Sequence, residues 1–234
     1  MTISVFFTIW ISGITSMDLV ENYMSAPLDF LKSRTEVSSV EFYTPEASKE
    51  RVHDMDDLVP PALIVEISMD SQEAAEALVK SGQFQQFFND KQRLDASAER
   101  IDVDVVEKIH FPLAGQDEVP ARTAPMSFVV RYFGPVRDGS DFIDYYINHH
   151  PQIAAKFPGI RNVLCYMPIG WRDMDKVDDE SFIVGNEVVF DDLESFKAAL
   201  ASEVFTELRA DGENFEKWGY SFHHAMHREL VYSR

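Results

Sequence analysis

The sequence predicts an α+β fold built from two successive βαββαβ repeats. Runs of β-branched and aromatic residues alternate with runs of helical period, and the same order of elements occurs twice along the chain. Segments of the two halves also align. Residues 65–70 align in sequence with residues 186–191 at an offset of 121, and residues 40–45 align with residues 163–168 at an offset of 123. The sequence therefore predicts two ferredoxin-like halves that are internal copies.

The first half is predicted over residues 1–112. β-Branched and aromatic residues are concentrated in four segments, which are expected to be strands at 3–10, 37–43, 62–68 and 101–110. Helical spacing predicts three helices between them. They are expected after Ser16, with Leu19, Val20, Tyr23 and Met24 facing inward, after Ser71, and near 83–88.

A linker over 113–125, which contains proline and glycine, leads to the second half over 126–234. Its strands are expected at 126–133, 160–167, 182–190 and 218–227, and its helices at 140–157, 192–200 and 203–217. Ser140 is the expected N-cap of the first of these helices. Pro151 removes a backbone donor from its interior, so the helix is predicted to kink or restart at His149 and His150.

Composition limits the classes of function. The chain has 234 residues, 45% hydrophobic residues and a formal charge of −19, which is typical of a globular protein with an acidic surface. This charge argues against nucleic acid and anionic membranes as partners, since both bind clusters of Lys and Arg. The single cysteine, Cys165, leaves no internal disulfide and indicates a reducing compartment.

The first 17 residues carry no charged side chain. They have no basic segment and no small-residue cleavage site, and the apolar run is too short to cross a bilayer. We therefore expect a first strand there rather than a signal peptide, and a cytoplasmic protein.

A group of residues in the second half resembles a known family. It contains Tyr145, Tyr146 and His150, then Pro158-Gly159-Ile160, and it continues at the strand-to-helix junction over 186–196. Over residues 126–228 the chain resembles the EthD-like family of the dimeric α/β-barrel superfamily. In single-repeat relatives, two chains pair through the bare faces of their sheets and close a barrel.

The resemblance has a consequence for the fold. A four-stranded sheet with helices on one face leaves its other apolar face in need of a cover. Because one chain here supplies both halves, the resemblance implies an intramolecular pseudo-dimeric α/β barrel. A homodimer of such pseudo-dimers is compatible with this prediction.

Strand alternation predicts the direction in which one acidic side chain points. Val188 and Phe190 are expected beneath the following helix, so Glu187 faces the other way, into the barrel. By the same count Glu66 faces inward in the first half. A carboxylate in such a place either has a raised pKa and acts as a general acid or base, or forms a structural ion pair, and both interpretations stay open.

His150 is the candidate base, because an imidazole titrates near neutrality. Its neighbour His149 lies on the packing stripe and is interpreted as structural. In the first half Ser25 stands at the equivalent position, so that half is expected to be chemically silent.

Other candidate residues surround this helix. Tyr146 is either a donor to a substrate carbonyl or a core residue with its hydroxyl at the edge. Side chains alternate along the strand, so only one of Tyr132 and Arg131 faces the pocket, and alternation alone does not decide which. His224, on the last strand, is a candidate substrate contact on the face opposite His223. No group with metal-ligand spacing occurs, so neither a metal nor a cofactor is expected.

The resemblance implies a cofactor-independent enzyme of isomerase, cyclase, dehydratase or oxygenase type, acting on a hydrophobic carbonyl-bearing or aromatic small molecule in a catabolic or secondary-metabolic pathway. In this hypothesis His150 removes a proton next to a carbonyl, Tyr146 or Tyr132 polarises the oxygen, and Glu187 orients the imidazole. The alternative is a non-catalytic small-molecule-binding auxiliary protein of a degradation pathway. Binding of haem or a haem product is a third hypothesis.

Overall fold

The structure is a computed structural model that describes residues 2–46, 59–88, 98–178 and 181–234, and contacts divide these residues into two units. The first unit contains residues 2–45, 59–88, 98–107 and 227–234, and the second contains residues 46, 108–178 and 181–226. Each unit combines antiparallel strands with helices, as an α+β fold requires.

The first unit has the predicted order of strands and helices, with one additional helix that the sequence did not predict. Its elements are β1 (Thr2–Ile11), α1 (Ser16–Tyr23), α2 (Ala26–Lys32), β2 (Val37–Pro45), β3 (Leu63–Met69), α3 (Gln72–Lys80), α4 (Gly82–Phe88) and β4 (Ala98–Phe111), of which the last residues belong to the second unit. β3 lies between β1 and β2 and is antiparallel to both.

The inward face predicted for the first helix is partly wrong. Leu19 and Tyr23 are buried, but Met24 is 43% exposed. The reason is that α1 ends at Tyr23 and a separate helix, α2, begins two residues after Met24. Pro27, which is tolerated in the first turn of a helix, fits the start of α2 and could not continue α1.

The second unit has the corresponding elements. They are β5 (Met126–Phe133), α5 (Gly139–Ala154), β6 (Asn162–Pro168), a short 3-10 helix (Trp171–Asp173), β7 (Phe182–Phe190), α6 (Leu193–Leu200), α7 (Glu203–Gly212) and β8 (Tyr220–Ser233), of which residues 220–226 belong here. The hydrogen-bonded strand order is β8-β5-β7-β6, with β7 antiparallel to both of its neighbours. β5 and β7 have the predicted bounds.

Pro151 does not interrupt α5, so the predicted restart at the histidines is wrong. The helix is continuous from Gly139 to Ala154. The carbonyl of Ile147, which loses its normal partner at Pro151, accepts instead a hydrogen bond from the Gln152 side chain at 3.0 Å. This replacement bond compensates for the donor that proline lacks.

Two further expectations about α5 are corrected. Its N-cap is Asp138, whose Oδ1 accepts from the backbone N–H of Asp141 at 3.0 Å, while Ser140 donates its hydroxyl to the same carboxylate. His149 is exposed rather than packed, and its Nδ1 lies 2.7 Å from the carbonyl oxygen of Tyr145. The buried stripe instead passes through His150.

The core of the second unit lies between the sheet and α5 and α6. Val188 and Phe190 belong to this core, as strand alternation predicts. Phe196 of α6 lies over the sheet, with its ring centroid 4.5 Å from that of Phe128 and 5.4 Å from that of Phe190. These contacts fix α6 against β5 and β7.

Several sequence predictions stay predictions. They are the boundaries at 1–112, 113–125 and 126–234, the pseudo-dimeric barrel, the homodimer and the cytoplasmic location. No helix in the described part of the chain combines the length and the apolar character that crossing a membrane requires.

Candidate functional site

A cavity of about 280 Å³ lies in the second unit, between the sheet and its helices. Its volume is near the lower end of the roughly 300–1,000 Å³ typical of small-molecule sites. Most of its lining is aromatic or aliphatic. The lining residues are Phe128, Val130, Tyr132, His150, Ala154, Phe157, Asn186, Val188, Phe196, Leu200, Phe205, Leu208, Arg209, Gly212, Glu213, Phe215, Trp218 and His223. Such a wall suits a small, largely apolar ring system.

A buried imidazole–carboxylate pair borders the cavity where α5 packs against α7. Nδ1 of His150 lies 2.8 Å from Oδ2 of Asp211, and both side chains are less than a tenth exposed. His150 lines the cavity, and its other ring nitrogen, Nε2, has no hydrogen-bond partner among the described residues. The pair therefore resembles the base and orienting carboxylate of an acid–base site.

Asp211 is held in its charged form. Burial raises the pKa of its carboxyl, but hydrogen bonding and charge from His150, together with a hydrogen bond from Tyr145, outweigh burial, and the pKa lies below its usual value. The Tyr145 hydroxyl donates to Oδ1 at 3.2 Å. The two carboxylate oxygens are thus occupied by different partners, which fixes the direction of the bond to His150.

Aromatic rings hold the imidazole from two sides. The ring of Tyr146 lies 4.9 Å from that of His150 in a tilted arrangement, and the ring of Phe215 lies 5.1 Å from it edge-on. This packing limits rotation of the imidazole, so that Nε2 keeps one orientation.

A second polar group in the cavity wall consists of Tyr146, Asn186 and Tyr132. The amide Nδ2 of Asn186 donates to the hydroxyl oxygen of Tyr146, and the rings of Tyr146 and Tyr132 meet edge-on with their centroids 5.5 Å apart. Burial raises the pKa of both phenols. Both hydroxyls therefore keep their protons at neutral pH and act as hydrogen-bond donors.

The structure brings only part of the predicted site together. His150 and Tyr132 line the cavity, and Tyr146 lies directly behind them with no exposed surface. Between Tyr132 and Arg131, it is Tyr132 that faces the cavity. Arg131 is buried elsewhere, with its guanidinium 5.7 Å from the ring centroid of Tyr166.

Glu187 does not line this cavity. Its Oε1 accepts from the Ser127 hydroxyl at 2.6 Å, and its Oε2 accepts from the Tyr166 hydroxyl at 2.5 Å and from Arg122 Nη1 at 2.9 Å. The carboxylate is therefore paired and hydrogen-bonded within a buried polar cluster, as one of the two open interpretations expects.

The first unit contains a similar cluster at aligned positions. Glu66 accepts from the Ser4 hydroxyl at 2.8 Å and from the Tyr43 hydroxyl at 2.8 Å. The same residue types with the same bonds occur in both units, which supports the predicted internal duplication. It also supports a structural role for Glu187, since Ser25 replaces the histidine in the first half.

His224 does not line the cavity, whereas its neighbour His223 does. His223 Nε2 lies 3.0 Å from the Ser221 hydroxyl, which itself accepts from the Trp218 indole at 3.3 Å. His224 stacks on Phe222, and burial lowers the pKa of its imidazole to about 4.

Acidification from pH 7 to pH 4 is expected to lower the free energy of unfolding by about 3 kcal/mol through His224. The imidazole stays neutral in the folded protein down to a pKa of about 4, but it gains a proton near pH 6.5 in the unfolded chain. Its contribution is therefore complete above pH 6.5 and is lost as the pH falls toward 4. Denaturant unfolding of wild type and His224→Phe at both pH values measures it. An equal pH dependence in the two proteins would contradict this prediction.

Sequence reasoning missed Asp211, Asn186 and His223. A signal for Asp211 was present, because Val204, Leu208 and Asp211 follow each other at helical spacing, which places a carboxylate on an apolar stripe. Asp211 is in fact the buried residue of α7. No comparable signal distinguishes Asn186 or His223 from other strand residues.

The described residues contain no group of three or more His, Cys, Asp or Glu side chains that could hold a metal ion. The polar atoms of the cavity are instead the imidazole of His150, the amide of Asn186 and the phenol of Tyr132. These groups are suited to hydrogen bonding and proton transfer.

Comparisons with solved structures show a shared fold. An anthrone oxidase-like protein superposes with a TM-score of 0.65 at 14% identity, over 100% of this chain and 92% of that one. Candidate monooxygenases from Fusobacterium nucleatum and Lactobacillus acidophilus NCFM superpose with TM-scores of 0.56 and 0.54 at 11% and 12% identity. They cover 100% and 98% of this chain, and 95% of each of those chains is matched.

No curated protein matches the chain. Residues 137–216 match the family model of the EthD domain. This segment runs from just before α5 to just after α7, and it therefore contains both His150 and Asp211. The EthD-like part of the chain is the part that builds the imidazole–carboxylate pair and most of the cavity wall.

Proposed function

We propose that the cavity of the second unit is the active site of an enzyme that removes a proton from a small carbonyl-bearing or aromatic substrate. The observation that carries the proposal is the buried His150–Asp211 pair, in which Asp211 binds one ring nitrogen and the imidazole borders the cavity. A positioned base of this kind contributes roughly 10²–10⁴-fold to a proton transfer.

Asp211 and His150 have different roles in this reaction. The carboxylate accepts a hydrogen bond from Nδ1–H, so the lone pair of Nε2 is available as the base. When Nε2 takes the substrate proton, the imidazole becomes positive, and the adjacent carboxylate stabilises that charge. Asp211 is therefore a positioning residue, whereas His150 contacts the reacting atoms.

Tyr132 supports the negative charge that forms on the substrate. Loss of a proton next to a carbonyl places charge on the carbonyl oxygen, and a protonated phenol in the cavity wall can donate a hydrogen bond to it. The ring of Tyr146, whose hydroxyl is bonded to Asn186, packs edge-on against the ring of Tyr132 and supports it from behind. This replaces the sequence-based role of Glu187, which lies outside the cavity.

An oxygenase reaction is the version of this chemistry that the named structural relatives favour. A resonance-stabilised carbanion can react directly with dioxygen, and a methylene is then converted to a carbonyl while the second oxygen atom leaves as water. Dioxygen is the oxidant, so the step balances without a bound cofactor. Isomerisation, cyclisation and dehydration share the first proton transfer and differ only in the later fate of the carbanion.

Hydrogen exchange on anthrone tests the proposal. The methylene protons of this probe are acidic, and their replacement by deuterium in D₂O is followed by NMR, while an oxygen electrode records dioxygen consumption. We expect exchange faster than in buffer, and a rate that falls in acid because a protonated imidazole cannot accept a proton. Exchange without dioxygen consumption would indicate one of the non-oxidative reactions.

The second candidate function is non-catalytic binding of an apolar metabolite, which the largely apolar lining favours. Binding driven by apolar contacts should change little with pH. Anthrone that binds in the cavity but exchanges its protons only at the buffer rate would favour this function over catalysis.

A further inference from the structure

We propose that Asn186 makes the cavity selective for substrates that carry a hydroxyl group on an aromatic ring. The inference rests on the proposed function, because it assigns the substrate class of the same cavity. It starts from the amide oxygen of Asn186, a residue that lines the cavity, because this buried oxygen has no hydrogen-bond partner among the described residues.

Asn186 lies in the middle of β7, opposite Val130 of β5 and Cys165 of β6. It lines the cavity and is less than a tenth exposed. Its Nδ2 donates to the Tyr146 hydroxyl, but its Oδ1 has no hydrogen-bond partner among the described residues. Buried polar atoms are normally paired, so an unpaired amide oxygen beside a cavity indicates a missing partner.

The hydrogen bond behind the cavity shows which end of the amide is left over. The Tyr146 hydroxyl oxygen accepts from the amide Nδ2 of Asn186. The amide can then offer only its oxygen to a ligand, and the ligand must supply a hydrogen-bond donor.

The surrounding wall determines the rest of the ligand. Tyr132 meets the rings of Phe215 and Trp218 edge-on at 6.3 and 5.1 Å, and these residues line the cavity together. Such walls bind flat aromatic rings. His150 is the base and its Nε2 is committed to the C–H bond, so the donor of the ligand is left for Asn186.

The structure thus provides two separate contacts for one substrate. A ring hydroxyl donates to Oδ1 of Asn186, and the acidic carbon lies at Nε2 of His150. Sites that hydrogen-bond a substrate hydroxyl discriminate strongly against analogues without it, because the buried acceptor is then left unpaired.

A pair of isosteric ligands tests the inference by binding alone. 1-Naphthol and 1-methylnaphthalene differ by a hydroxyl against a methyl group, and the binding of each is measured by titration calorimetry. Wild-type protein is expected to prefer 1-naphthol by roughly tenfold or more. Asn186→Leu, which keeps the size of the side chain, is expected to lose this preference.

Two variants complete the experiment. Asn186→Asp keeps an acceptor at this position and is expected to retain the preference for 1-naphthol. Asn148→Leu makes the same change as Asn186→Leu at an exposed site on α5 and is expected to bind both ligands as wild type does. The comparison of Asn186→Asp with wild type also holds if Asn186→Leu fails to fold.

The inference is overturned if wild type binds the two ligands equally, or if Asn186→Leu keeps the preference. These outcomes are separate from failure of the proposed reaction. A preference that depends on Asn186, with no exchange on either anthrone or 2-hydroxyanthrone, would preserve the selectivity and remove the catalysis. Exchange on both anthrones, with equal binding of the two naphthalene ligands, would preserve the catalysis and remove the selectivity.

Discussion

Replacing His150 with glutamine is expected to lower the rate of proton exchange on anthrone by roughly 10²–10⁴-fold while the protein stays folded. Glutamine can still form a hydrogen bond to Asp211, so the buried carboxylate keeps a partner, but an amide cannot accept the substrate proton. The exchange rate measured by NMR and the far-ultraviolet circular dichroism spectrum together check both parts of this prediction.

The neighbouring histidine provides the matched control. His149 is exposed on the same helix, one residue away, and its imidazole is bonded to a backbone carbonyl. His149→Gln should therefore exchange anthrone protons at the wild-type rate. Full activity in His150→Gln, or an equal loss in both variants, would remove the only base proposed for the cavity.

Asp211→Asn separates positioning from catalysis. The asparagine keeps the shape of the side chain but cannot stabilise a protonated imidazole by charge. We expect a smaller loss of rate than in His150→Gln, because the base stays in place while its protonated form loses the stabilising negative charge. Hydrogen exchange on anthrone, followed by NMR, measures this loss. A rate equal to that of wild type would restrict Asp211 to a structural role.

The sequence predicted the strands well because their signal is local. β5 and β7 are rich in β-branched and aromatic residues and lie between turn-forming residues, and their predicted bounds match the structure. Alternation along β7 also placed Val188 and Phe190 toward the helices. This pattern depends only on the two-residue repeat of a strand, which any register preserves.

The helix errors have causes that lie outside the local pattern. Pro151 alone indicates a break in α5, and only the Gln152 side chain that binds the free carbonyl of Ile147 explains why the helix continues. The packing stripe predicted through His149 was wrong, since the buried stripe contains His150 instead. The angular position of adjacent residues on a helix is decided by tertiary packing against α7, which the sequence does not specify.

The site could be predicted only in part, because its pieces come from distant segments. His150 was identifiable from its residue type, but Asp211 is sixty-one positions away and meets it only through the packing of α5 on α7. Glu187 was assigned to the same site because strand alternation predicts the direction of its side chain. Alternation does not predict which residues that side chain binds. The residues that determine its role, Arg122 and Tyr166, lie in the predicted linker and on another strand.

Arg122→Met is expected to lower the free energy of unfolding by about 3–5 kcal/mol, because it removes the buried ion pair between the Arg122 guanidinium and the Glu187 carboxylate. The side chains of Arg122 and Glu187 are only 6% and 1% exposed, and their nearest atoms are 2.9 Å apart. Chemical denaturation measures the loss. Arg137→Met is the matched control, since its side chain is 90% exposed while paired with Glu216, and it should leave the free energy of unfolding nearly unchanged.

A double variant distinguishes a structural Glu187 from a catalytic one. Arg122→Met combined with Glu187→Leu removes both charges, so it should recover much of the stability lost in Arg122→Met alone. Its anthrone exchange rate per folded molecule should equal that of wild type, because the His150 cavity lies on the other face of β7. Recovered stability with abolished exchange would return Glu187 to the catalytic site and require a second path from its carboxylate to the substrate.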